Sequence, residues 1–133
     1  VFRLTGLEEA ETDGFLAARG YAQIEPSFVM QADIHPIEEE TEGVVIETRP
    51  TEAWIGGAAA AYGGAKDDPE LLADILARIR RPAAYATLVL DDRPVGWGIG
   101  VVERGWLGLY DIVVATDLRG LGLGRQIVRT LME

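Results

Sequence analysis

The sequence predicts an α/β chain of the α+β kind, with a mixed and mainly antiparallel sheet flanked by helices. Three observations predict it. Residues 83–114 hold three apolar runs joined by connections of two to four residues, as in an antiparallel meander. An apolar stripe at helical spacing precedes them. A glycine-rich turn and a second amphipathic segment follow.

Taken in order, Val1 to Thr5 is a short apolar run of strand character. Leu7 to Arg19 is helix-tolerant, with Gly20 where a C-terminal cap belongs. Tyr21 to Ile34 reads as extended, broken at Pro26, with Phe28, Val29 and Met30 at its centre. Residues 35–43 contain Pro36 and the run Glu38-Glu39-Glu40, an exposed acidic linker and the main organisational boundary. Val44 to Glu47 resumes as a strand. Thr51 caps a helix over Glu52 to Tyr62, weakened by Gly56 and Gly57. Asp68 caps the next helix, which Pro69 opens and Pro82 stops; Leu71, Leu72, Ile75, Leu76 and Ile79 form its core-facing stripe. The meander is Ala83–Leu90, Val95–Glu103 and Trp106–Val114, linked by Asp91-Asp92-Arg93-Pro94 and by Arg104-Gly105. A turn at 115–118 leads into Arg119-Gly120-Leu121-Gly122-Leu123-Gly124 and a helix with Ile127, Val128 and Leu131 on its apolar side.

At 133 residues the chain is long enough to bury a core, and its 48% apolar and 26% charged content is that of a globular protein. No apolar run reaches the roughly 18 residues needed to cross a bilayer. No basic segment followed by an apolar one marks a signal peptide. Cysteine is absent, which removes disulfides, thiolate metal sites and cysteine nucleophiles together. A cytoplasmic, reducing location is compatible with that. The net charge of -10 argues against nucleic-acid binding, which needs a basic surface. Residues 1–50 carry 11 acidic and 3 basic side chains, whereas residues 51–133 carry 11 and 9, and Arg119, Arg125 and Arg129 gather around the glycines. A local basic spot in an acidic chain suits a small anion.

Closely spaced glycines between a strand and a helix expose backbone N–H groups with no side chains in the way. With the positive end of the helix dipole, those donors form an anion site. A Walker A loop ends in Gly-Lys-Ser/Thr, but here Gly124 is followed by Arg125-Gln126. A dinucleotide fingerprint needs G-x-G-x-x-G in a parallel βαβ unit, and glycines at 120, 122 and 124 after antiparallel strands do not supply it. A glycine turn that only allows close helix packing is the plainer alternative.

The stretch from Val114 to Arg125 resembles the acetyl-CoA signature of the GNAT superfamily, whose core Q/R-x-x-G-x-G/A is matched by Arg119, Gly122 and Gly124. Two helices, a three-strand meander and then the motif is the order of the first half of such a domain. The resemblance covers roughly residues 44–133 and implies a GNAT-like acyl-CoA N-acyltransferase fold, incomplete at its C-terminus. It implies that Ile112, Val113 and Val114 pair with the pantetheine arm. The loop from Arg119 through Gly120, Leu121, Gly122, Leu123 and Gly124 to Arg125 would hold the pyrophosphate. Residues 1–34 resemble the closing half of the fold, with Phe15 to Tyr21 similar to its "Y-x-x-x-G-F" segment and Phe28 to Ala32 as a last strand. The chain is then a slice of a tandem protein, or residues 1–34 complete its own cleft.

Acetyl transfer to an amine needs a group that accepts a proton. Two carboxylates are candidates: Asp111, inside the last strand, and Glu103, at the end of the preceding one. Each has a plain alternative as a solvated charge. Tyr110, Trp54, Trp97 and Trp106 read as packing groups first, and His35 falls in the linker. No carboxylate and histidine spacing points to a metal. The expectation is an N-acetyltransferase using acetyl-CoA and acting on a small-molecule or peptide amine, without nucleic-acid or membrane partners and with a homodimer left open. The alternative is a coenzyme A-binding or regulatory module without turnover.

Overall fold

The four-stranded sheet that supports the glycine loop joins a two-hairpin meander to one earlier strand, in a computed structural model that describes residues 11–24, 28–35, 42–63 and 68–133. The chain divides into two units, Val1–Asp33 and Ile34–Glu133.

In the first unit, helix α1 spans Thr12–Ala17. Beyond it, Gly20 takes φ +81°, its N–H bonds the Ala17 carbonyl at 3.0 Å, and the Tyr21 N–H bonds Leu16 at 3.2 Å. That pair of bonds is a Schellman motif, which glycine serves because it has no Cβ to clash. The extended stretch expected over Tyr21 to Ile34 is corrected: its described residues, 21–24 and 28–34, form no strand. A strand needs a partner for its backbone groups and a face to bury. Phe28, Val29 and Met30 have neither, at 91%, 101% and 88% exposed. The expected strand at Val1 to Thr5 and the start of the helix at Leu7 lie outside the described residues.

The second unit contains β1 (Val44–Glu47), α2 (Glu52–Tyr62), α3 (Pro69–Leu76), β2 (Ala83–Leu90), β3 (Arg93–Glu103), β4 (Trp106–Val114) and α4 (Leu123–Met132). The strands lie in the order β1-β2-β3-β4, every pair antiparallel. The β2–β3 turn is tighter than the expected four residues. Asp91 and Asp92 have φ of +50° and +60°, Leu90 pairs with Arg93, and the strand starts before Pro94. Left-handed conformation at both central residues suits the sheet's twist, and aspartate tolerates it. The pairing then skips Val95, a bulge that turns Val95 toward the same face as Gly96.

Two apolar layers flank the sheet. On one face Trp54 and Ala58 of α2 and Leu76 of α3 pack on Tyr85, Trp97, Ile99 and Val113. Trp54 is 2% exposed, donates from Nε1 to the Ala86 carbonyl at 2.9 Å, and meets Tyr85 edge to face. Gly57, expected to weaken α2, is what brings the helix down: a Cβ there would fall 2.4 Å from the Trp97 ring. On the other face Ile127 and Leu131 of α4 pack on Ala86, Leu88 and Val95. Gly96, Gly98 and Gly100 of β3 line this contact, and a Cβ at Gly98 would lie 2.7 Å from both Ile112 and Ile127. Among the described residues, no helix is long and apolar enough to cross a membrane.

Candidate functional site

The glycine loop is shaped by backbone conformation. After β4, a single 3-10 turn at Thr116–Leu118 leads to Arg119 in an extended conformation. Gly120 and Gly122 both take φ +81°, and Gly122 is the N-cap of α4. Built Cβ atoms at these two positions would meet nothing within 4 Å, so left-handed geometry, not crowding, requires the glycines. At Gly124 a Cβ would make ordinary contacts, 3.7 Å to Ile112 and 3.9 Å to Val114.

The first backbone donor after Leu118 is Arg125, whose N–H bonds the Gly122 carbonyl at 3.0 Å. Among the described residues, the N–H groups of residues 119–124 reach no backbone carbonyl. These six successive donors precede and open a ten-residue helix at the positive end of its dipole, a surface suited to an anion.

This surface opens into a cleft of about 470 Å³ lined by Tyr62, Ile112 to Val114, Leu118 to Gly120 and Gly122 to Gly124. Of the residues assigned to the cofactor from sequence, Ile112, Val113, Val114, Arg119, Gly120, Gly122, Leu123 and Gly124 are brought together here. Leu121, 68% exposed, does not line the cleft, and Arg125 stands exposed on the first turn of α4. Among the described residues strand β4 is an edge of the sheet, and no described strand covers the side of its backbone along the cleft.

Asp111 sits at a second bulge. Trp97 pairs with Val113 and Ile99 with Tyr110, so two residues of β4 oppose Gly98 alone. Asp111 takes φ +52°, which places its side chain on the α2 face together with Tyr110. There its Oδ1 accepts a 2.6 Å hydrogen bond from the hydroxyl of Tyr62, the last residue of α2. Burial first, then this hydrogen bond and the carboxylate's charge, push the Tyr62 phenol well above its ordinary range. Tyr62 was not a candidate from sequence. The available signal was a tyrosine closing a helix immediately before Gly63.

Glu103 does not join the site. It pairs with Arg81 at 2.9 Å and lies opposite Trp106, at the far end of β4 from the loop. Eight strand steps separate Trp106 from Val114, about 26 Å at strand rise. Trp54 and Trp97 are core residues, while Trp106 and Tyr110 are 61% and 56% exposed. Arg119 folds back onto protein: Nε donates to the Val114 carbonyl at 3.0 Å and Nη2 to the Ala61 carbonyl at 2.9 Å.

The sequence profile of the acetyltransferase (GNAT) family matches residues 23–133. A crystal structure from Pyrococcus horikoshii with an acetyltransferase designation resembles the chain at a TM-score of 0.51 and 19% identity, over 74% of this chain. At that identity the likeness is one of fold, and the chain spans 37% of that protein's length. No curated protein matches the chain.

Proposed function

This chain belongs to the acetyltransferase (GNAT) family, and from that premise we propose that it transfers an acetyl group from acetyl-CoA to an amine of a small molecule or peptide. The observation that supports the reading is the row of amides from residue 119 to 124 that bond no described carbonyl, beside an edge of β4 that no described strand covers. The amides and the α4 dipole hold the pyrophosphate, with Arg125 free to add charge. The backbone of Ile112 to Val114 aligns the pantetheine arm along the cleft. Acetyl-CoA, when bound, supplies a thioester carbonyl for the amine to attack and a thiol as leaving group.

Asp111 is the proton acceptor in this reading. An acceptor amine is an ammonium ion at neutral pH, and the carboxylate both attracts it and takes its proton. Tyr62 fixes the carboxylate's orientation. Its raised pKa makes it a poor acid and keeps its hydroxyl protonated, so it serves as a donor and not as a proton source.

The experiment is calorimetry of coenzyme A with the purified chain, followed by acetyl transfer to a panel of amines. Binding with turnover supports the reading; binding without turnover identifies the regulatory module instead. Failure to bind would remove both.

A further inference from the structure

We infer that Arg119 is a brace that couples the coenzyme loop to the Tyr62–Asp111 pair; this rests on the coenzyme reading of the loop. Its guanidinium spans two carbonyls from distant parts of the chain, Val114 at the end of β4 and Ala61 in the last turn of α2. The last four carbonyls of a helix have no partner within it, and they form the negative end of its dipole. A planar cation with diverging N–H groups answers both needs at Ala61. The next residue, Tyr62, is tied separately to Asp111 on the β4 bulge. The end of α2 is therefore held at two adjacent points, one by the loop and one by the strand.

The brace is compatible with an occupied loop. A guanidinium has five N–H donors, and these two bonds leave three for phosphate oxygens. Phosphate contact holds the guanidinium in place and thereby steadies Ala61, Tyr62 and Asp111. Cofactor binding orders the acceptor side through Arg119, which acts as a positioning residue. A lysine keeps the charge but lacks the planar fork that meets two carbonyls in fixed directions.

Hydrogen exchange of the whole chain, with and without coenzyme A, tests this. Coenzyme A should slow exchange at residues 60–63 of the parent by about tenfold, the effect of one decade in the local opening equilibrium. Arg119→Ala and Arg119→Lys should both abolish that slowing, while exchange across residues 97–101 of β3 stays parental and reports an intact fold. Parental slowing in Arg119→Lys would overturn the brace, because charge alone would then suffice. Unchanged or faster exchange at 60–63 when the parent binds coenzyme A would also overturn it, and that measurement needs no variant. If the parent binds no coenzyme A, the coenzyme reading fails. The free protein still decides whether the brace exists, since both variants should then exchange faster than the parent at 60–63.

Discussion

The Tyr62 hydroxyl and the Asp111 carboxylate, 49 residues apart in sequence, meet at 2.6 Å where the end of α2 crosses the bulge of β4. Strand β4 thereby presents a carboxylate on the same face as Tyr110, at a point where regular alternation would have turned it to the α4 side. If that carboxylate takes the proton, Asp111→Asn should lower kcat/KM by about 10²–10⁴, the usual range for a general base. Asparagine also tolerates positive φ, so the fold and coenzyme A affinity should hold. Tyr62→Phe should give a smaller loss. Steady-state kinetics beside calorimetry measure both, and a fully active Asp111→Asn would place the base elsewhere.

Tyr62 and Tyr85 should ionise above the ordinary phenol range in an alkaline absorbance titration. Their folded pKa values lie above the unfolded one, near 10, so the folded state keeps its phenolic protons longer than the unfolded state. The corresponding stability is fully present below about pH 10 and is lost as pH rises through the folded values. Urea unfolding between pH 9 and 12 should show this fall, and Tyr62→Phe should shrink it. An alkaline stability profile that the substitution leaves unchanged would contradict the assigned cause.

Gly122→Val should weaken coenzyme A binding at least tenfold, about 1.4 kcal/mol. The φ of +81° costs a residue with a Cβ about 1–2 kcal/mol, and the new side chain enters the space over the amides. Gly124→Ala, whose Cβ would make only ordinary contacts, should bind nearly as the parent does. Calorimetry on the pair separates the loop's geometry from its glycine content; equal affinities would argue that the pyrophosphate lies elsewhere.

Adjacent glycines in α2 should respond with opposite sign. Gly56 is exposed with nothing near its missing Cβ, so Gly56→Ala should stabilise by about 0.5–1 kcal/mol through helix propensity. Gly57→Ala gains the same propensity but places a methyl 2.4 Å from the Trp97 ring, within the 1–3 kcal/mol cost of overpacking. The clash should win. Thermal denaturation of the two variants reads the difference directly.

The meander, the start of α3 and the glycine loop were legible in the sequence because each is written locally; the core-facing stripe expected of α3 was legible only in part, since Leu71 and Ile75 are 54% and 52% exposed and Ile79 lies past its end. Strand runs joined by short connections, the Asp68-Pro69 cap and glycines before a helix need no distant partner to be recognised. The Tyr62–Asp111 pair was not legible, since it depends on a bulge that Tyr110-Asp111-Ile112 does not announce. The role of Arg119 was legible as charge but not as a fork between two carbonyls, because Ala61 lies 58 positions earlier. Glu103 suggested chemistry by its residue type, but it ends β3 opposite Trp106, at the end of β4 far from the loop. At Phe28 to Met30 the apolar run gave a strand-like pattern, but no described sheet in that unit offers an edge to pair with.

The glycines at 96, 98 and 100 give the site its ruler. Where bulky residues separate a helix from a sheet, the gap follows side-chain size and shifts with each substitution. Beneath α4 no side chain of β3 intervenes at these three positions, so Ile127 and Leu131 approach the main chain there while packing on Ala86, Leu88 and Val95 beside it. The elevation of the N-terminal amides of α4 above β4 is then a main-chain dimension. On the proposed coenzyme reading, the spacing between the loop amides and β4 is then set in part by the polypeptide itself.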